Sequence, residues 1–250
     1  MRIYGEASFT FFNLLRIDKE EAINNLDRAF EAKLEAFHTL YDVTKKEIAY
    51  SDHADTSVII MLRNAIHHRN HNLFKSWNSE MHLENQFNKM KGAAFLMTGY
   101  QPCDEDSHVS EYYFKLSDFY ERLDESYGSK YIDTFLGKAK REKLLNLANS
   151  ELSFSEIKEQ SVSKRYPLHQ IYINVIPIYT SAICRILKKI ANNGFLPKGY
   201  DSDVYLNHFT SGEYFNLSKP VYKQLRVPAV GAESISAPTD ILACITESVD

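Results

Sequence analysis

The sequence predicts a mainly α-helical domain over residues 1–194, followed by an irregular C-terminal extension over 195–250 packed on it. Three observations carry this. Apolar residues recur at three- and four-residue intervals through much of the first three quarters of the chain. Capping residues stand where those stretches open and close. After Gly194 the period is lost, and Pro197, Gly199, Gly212, Pro220, Pro228, Gly231 and Pro238 punctuate the remainder, which reads as irregular or partly stranded.

The first strong element opens at Asp18, with Glu21 at capping-box spacing and Glu20 also in the first turn. Ile23, Leu26, Phe30, Leu34, Phe37 and Tyr41 then mark an amphipathic helix of about six turns. Lys19, Glu31, Lys33 and Glu35 read as its solvated face. A second helix opens at Ser51 or Asp52 and runs to about His71, with Val58, Ile59, Met61, Leu62, Ala65 and Ile66 on its apolar side. Residues 75–92 are polar with scattered Trp77, Met81, Leu83, Phe87 and Met90, and read as a further helix or a structured connection. Residues 93–97 form a short apolar run before a loop over 99–110. Residues 112–120 are aromatic-rich without a clear period, and 131–150 read as helix. The longest apolar segment spans 166–193, with Gly194 as its C-cap. Pro177 interrupts it, marking either a kink or the start of a new helix. The first half is apolar almost all round, so it belongs at the centre of the fold or in an interface.

Composition bounds the rest. With 44% hydrophobic and 25% charged residues, a chain of 250 residues can bury a sizeable core and is not disordered. A formal net charge of −4 gives no general pull toward nucleic acid, so such binding requires a local basic surface. Cys103, Cys184 and Cys244 are odd in number and lack metal-type spacing, which points to free thiols in a reducing compartment. The apolar run Phe9 to Leu15 is short and broken, a poor signal peptide, and no stretch reaches the roughly 20 apolar residues of a membrane span. These features point to a cytoplasmic protein.

The chemistry concentrates in Met61-Leu62-Arg63-Asn64-Ala65-Ile66-His67-His68-Arg69-Asn70-His71. Arg can hold a phosphate, and His can move a proton near neutral pH. With ten Arg and nine His in 250 residues, an Arg five positions before a His arises by chance roughly 0.4 times. Requiring Asn directly after the Arg lowers that to roughly 0.02. On a helix, Asn64, His67, His68 and His71 fall on one polar stripe, with Arg63 a quarter-turn away. No Asp or Glu occurs between Asp55 and Glu80, nor between Glu159 and Asp201. The second window holds Lys164, Arg165, His169, Arg185, Lys188, Lys189 and Lys198. If the two windows are neighbours, they form a local cationic cleft suited to a polyanion.

Arg63-Asn64-Ala65-Ile66-His67-His68 resembles the Arg-polar-x-x-x-His signature of the HEPN superfamily of helical-bundle proteins, many of which are metal-independent ribonucleases of toxin–antitoxin and defence systems. The resemblance is specific at these six residues and looser across 18–194. It implies an antiparallel helical bundle, a homodimer whose two motifs share one cleft, RNA as substrate, no cofactor, no metal, and an antitoxin or operon partner. Carried over, Arg63 and His68 become the catalytic pair and Asn64 the residue that orients them. His67, Arg69, His71 and Lys188 are then candidate RNA contacts. The apolar face of 171–183 is a candidate for part of the dimer contact or for core.

Other readings compete. His67 and His71, one turn apart, invite Zn²⁺ or Ni²⁺, but the Glu of the zinc-protease motif is absent and Arg69 lies between them. The stretch also reads as a solvated polar helix end, or as part of a non-catalytic RNA-binding or scaffold protein of the same fold. No Gly-rich phosphate loop, G-x-S-x-G elbow or Rossmann fingerprint is present. Cys103 sits among Asp104, Glu105 and Asp106, which dulls it as a nucleophile. Tyr112, Tyr113, Phe114, Phe119 and Tyr120 suit a core better than a base-stacking platform.

Overall fold

The computed structural model describes residues 2–68, 71–103, 110–196, 198–199, 202–210, 212–227 and 246–248. The chain is mostly helical: α1 (Arg2–Leu15), α2 (Lys19–Thr44), α3 (Ala54–His67), α4 (Gln86–Lys89), α5 (Leu116–Leu123), α6 (Lys138–Glu151), α7 (Phe154–Ser163), α8 (Ile176–Asn192) and α9 (Ser202–Thr210). It also contains a mixed sheet, built from β1 (Ala94–Pro102), β2 (Tyr113–Lys115), β3 (Ile171–Asn174), β4 (Phe215–Arg226) and β5 (Thr246–Ser248). The strand order is β2-β3-β1-β4-β5, with β1 and β3 parallel and the other pairs antiparallel.

The helices expected from periodicity are present. Asp18 caps α2 by accepting the Glu21 N–H at 2.9 Å, and Ile23, Leu26, Phe30, Leu34 and Phe37 are buried along one stripe. Each such side chain contributes about 1.5–3 kcal/mol of apolar burial. α2 packs on α1 and α3, and α3 packs on α6 and α8. Among the described residues no helix is long and apolar enough to cross a membrane.

The sheet corrects the expectation of a purely helical bundle. In β1, Phe95 and Met97 join one apolar cluster, while Leu96 and Tyr100 join the other. In β3, Tyr172 faces the first cluster, and Ile171 and Ile173 face the second. Both faces are covered, so these strands carry continuous apolar runs without the alternation that distinguishes a strand from a buried helix. The stretch expected to be irregular or partly stranded supplies the long strand β4, and also the helix α9; β4 pairs with β1 from Ala94↔Arg226 to Pro102↔Phe215, with a bulge at Tyr100/Gln101. Pro220 sits within this ladder, beside Tyr100 next to the bulge.

The segment 166–193 is divided. β3 occupies its first part, and Pro177 lies in the first turn of α8, where its missing N–H costs nothing. Gly194 takes φ +81°, and the Gly194 and Phe195 N–H groups bond Ala191 O and Ile190 O at 2.9 and 3.1 Å, a Schellman closure. Ile171, Ile173, Val175, Ile178 and Ala182 lie in the interior of the single chain, so the face considered for a dimer contact is core. Residues 112–120 form β2 and the start of α5, and Tyr112, Tyr113, Phe114, Phe119 and Tyr120 are all buried. α6 begins at Lys138, seven residues later than expected, because 131–137 is held as a loop by Asp133.

Candidate functional site

α3 ends at His67, not near His71, and its last turn separates two grooves. Around a helix, four residues turn about 40° and five about 140°. Arg63 and His67 therefore share one side, and His68 faces another.

On the α2 side, Glu35 receives both. Its carboxylate accepts from Arg63 Nε at 3.2 Å to each oxygen and from Arg63 Nη2 at 3.0 Å, and its Oε1 lies 3.1 Å from His67 Nδ1. Arg63 Nη1 donates to Asn64 Oδ1 at 3.2 Å, so Asn64 orients the guanidinium. Desolvation raises the Glu35 carboxyl, but Arg63 and His67 overcome it and hold the group below its ordinary value. Arg28, Glu31, Ile66 and these groups line a cleft of about 440 Å³.

On the other side, His68 is the C-cap of α3, its N–H bonded to Asn64 O at 3.1 Å. Its ring stacks toward Phe135 with centroids 6.5 Å apart and planes 28° apart. His68, His71, Arg122, Lys130, Tyr131 and Phe135 line a cleft of about 620 Å³. Among the described residues no carboxylate pairs with His68. Phe135 is 89% exposed, so its ring is accessible to a ligand in this cleft.

The cleft walls are fixed. Arg122 pairs with buried Asp133 at 3.0 Å and donates to Tyr131 O at 3.1 Å. Asp133 Oδ1 accepts the Phe135 and Leu136 N–H groups, both at 3.0 Å. His71 Nδ1 accepts the Leu73 N–H at 3.3 Å, which places its proton on Nε2, a buried atom with no partner. Burial, then the Arg122 charge, lowers the His71 pKa and keeps the ring neutral. Phe74, at φ +58°, ends this loop, and its N–H is held by the buried Asp118 carboxylate at 2.7 Å.

The structure thus brings Arg63, Asn64 and His67 together and places His68 with His71 on the far side of the helix end. The expected single stripe through Asn64, His67, His68 and His71 is absent because the helix stops before His68. His67 and His71 consequently do not stand one helical turn apart as a chelating pair. Among the described residues no group of three or more His, Cys, Asp or Glu has the geometry of a metal site. Arg69 lies outside the described residues.

Lys188 is elsewhere. α3 and α8 are neighbours, as the acid-free windows required, but Asp55 on α3 binds Ser181 and Arg185 on α8, which puts Lys188 near the opening of α3. α3 is about 21 Å long, so Lys188 is roughly that far from His68. Cys184 is buried, and burial pushes its thiol up to about 11. Cys103 is exposed, while Asp104, Glu105, Asp106 and Cys244 lie outside the described residues.

Sequence reasoning missed Glu35, Lys130, Tyr131 and Phe135. It also placed Lys33 on a solvated face, whereas Lys33 is buried between the rings of Tyr4 and Tyr179, 4.7 and 4.3 Å from their centroids. The signal was available: Lys33 lies three residues after Phe30 and four before Phe37, on the apolar stripe. For Glu35 no local signal exists, since its partners are 28 and 32 residues away.

No protein-family model, curated protein or solved structure matches the chain.

Proposed function

We propose that the chain is a HEPN-type endoribonuclease that cuts RNA without a metal, and that one copy supplies only half of the catalytic apparatus. The observation that carries this is the division at the end of α3. Arg63 is fixed in the α2 groove, while His68 opens into a cleft with Lys130, Tyr131 and Phe135. Cations, an imidazole without an acidic partner and an exposed ring suit a nucleotide. Because the arginine and His68 diverge on one chain, a second copy related by a two-fold axis is needed to bring His68 and Arg63 to one phosphate.

In the proposed reaction, the imidazole of His68 takes the proton of a ribose 2′-hydroxyl. The 2′-oxygen attacks phosphorus, and the bond to the 5′-oxygen breaks. The leaving oxygen takes a proton from the His68 of the second copy. Arg63 stabilises the charge that grows on the phosphoryl oxygens. The products are a 2′,3′-cyclic phosphate and a 5′-hydroxyl.

A non-catalytic RNA-binding role is the second reading. It is favoured by Glu35, which occupies the Nε and Nη2 edge that Arg63 would offer to phosphate. Incubation of purified protein with RNA in EDTA separates the two. The enzyme yields cyclic-phosphate ends, and His68→Ala abolishes them with the circular dichroism unchanged. The binding protein retains RNA uncut, more weakly in Arg63→Ala. Equal cleavage by His68→Ala would remove His68 from the reaction.

A further inference from the structure

A second cleft, of about 440 Å³, lies between α8, the opening of α3 and residues 212–215. It is separate from the His68 cleft by roughly the length of α3. Its volume falls within the roughly 300–1,000 Å³ of small-molecule sites.

One face of α8 supplies its charge. Arg185, Lys188 and Lys189 stand at steps of three and one, and all three line the cleft. Arg185 uses its Nε–H on Asp55, which leaves the terminal nitrogens of the guanidinium for a ligand. Lys188 gives one N–H to Gly212 O at 3.2 Å and retains two. Lys189 is exposed and, among the described residues, pairs with no carboxylate. Asp55 and Arg185 largely neutralise each other, and Asp52 pairs with Lys143 at 3.0 Å, so Lys188 and Lys189 against Glu213 leave the cleft net positive. Ile48, Ile186, Tyr214 and Phe215 add apolar surface beside these donors.

We propose that this cleft is a binding site for a phosphomonoester carried on a small, partly apolar molecule of mononucleotide size. A planar guanidinium and two ammonium groups on one helix face match the several oxygens of a terminal phosphate better than a single carboxylate. The apolar wall is where a base or other ring lies. This assigns Lys188 to a small-ligand site rather than to the scissile strand, and it stands whether or not the chain cleaves RNA.

Isothermal titration of the full chain with AMP, adenosine and inorganic phosphate tests the proposal. AMP is expected to bind once per chain, inorganic phosphate more weakly, and adenosine not measurably. Lys189→Glu, at an exposed position, should weaken AMP at least about tenfold with an unchanged melting curve. Asn192→Asp, which adds a charge to the same cleft, should weaken it as well. His68→Ala should bind AMP as the wild type does. Competition by a 5′-phosphorylated oligonucleotide, but not by its 5′-hydroxyl form, would identify an RNA end as the source of the phosphate. Its failure to compete would identify a free mononucleotide. No saturable binding of AMP at millimolar concentration would overturn the proposal, as would AMP binding indifferent to both cleft variants.

Discussion

Glu35 and Arg63 are locked together across the groove between α2 and α3, with Arg63 Nη2 3.0 Å from Glu35 Oε2 and Arg63 Nε sharing both carboxylate oxygens. The pair fixes the guanidinium and also partly neutralises it, so Glu35 sets how strongly Arg63 can hold a phosphate.

Glu35→Gln should therefore tighten RNA binding several-fold at low salt, measured by fluorescence anisotropy, with a steeper salt dependence. Unchanged affinity would mean that Arg63 does not face the strand. The same pair has a pH signature. The Glu35 carboxyl is lowered from 4.5, so its contribution to stability is present above that value and is lost as the pH falls through the folded value. The stability difference between wild type and Glu35→Gln should vanish in acid. Glu35 is almost half exposed, so solvent screening keeps that difference small.

Lys33 is buried, among the described residues no carboxylate pairs with it, and burial lowers its ammonium to about 7. The unfolded chain binds the proton more tightly than the folded one between that value and 10.5, so the cost to stability is full below pH 7 and fades toward pH 10.5. Lys33→Met should raise the melting temperature at pH 6 by several degrees, at roughly 2–4 °C per kcal/mol. The gain should shrink steadily toward pH 10. A variant less stable than wild type at pH 6 would mean that the contacts with Tyr4 and Tyr179 outweigh the burial of charge.

Burial pushes the Asp118 carboxyl up to about 7, against the lowering pull of the Phe74 N–H. The folded chain thus holds this proton more tightly than the unfolded chain, and stability declines as the pH rises from about 4 through 7. Asp118→Asn retains an acceptor for Phe74 and removes the charge, so it should equal wild type near pH 4 and exceed it at pH 8. Asp118→Leu leaves the Phe74 N–H unpaired and should cost about 1–3 kcal/mol. Chemical denaturation at both pH values reads the difference.

Leu225 is buried in β4, on the face of the sheet that carries Phe95 and Met97. Leu225→Ala should destabilise by about 2–4 kcal/mol, whereas Lys219→Ala, on the exposed part of β4, should change almost nothing. Equal, small effects in urea melts would mean that β4 is an accessory to the core.

The helical part of the fold was legible because α2, α3 and α8 are each wet on one side, which writes a 3.6-residue period into the sequence. Asp18 and Gly194 were legible because a cap is a local contact. β1 and β3 were not, since burial on both faces erases the alternation at Phe95-Leu96-Met97 and Ile171-Tyr172-Ile173. The site divides in the same way. Arg63, Asn64 and His68 announce themselves by spacing and residue type. Glu35, Lys130, Tyr131 and Phe135 reach them only through tertiary packing. His68 faces away from Arg63 because five helical residues turn about 140°, and α3 ends at His67.

The half-site claim is tested most directly by mixing two inactive variants. Arg63→Ala and His68→Ala, each alone, should fail to cleave RNA in EDTA. Unfolded and refolded together, they form mixed dimers in which one chain supplies Arg63 and the other His68. Cleavage should then return above either variant and far below wild type, because the one His68 serves as base and water must protonate the leaving oxygen. A mixture as inactive as its components, from dimers shown by mass to be mixed, would contradict a site shared between two chains.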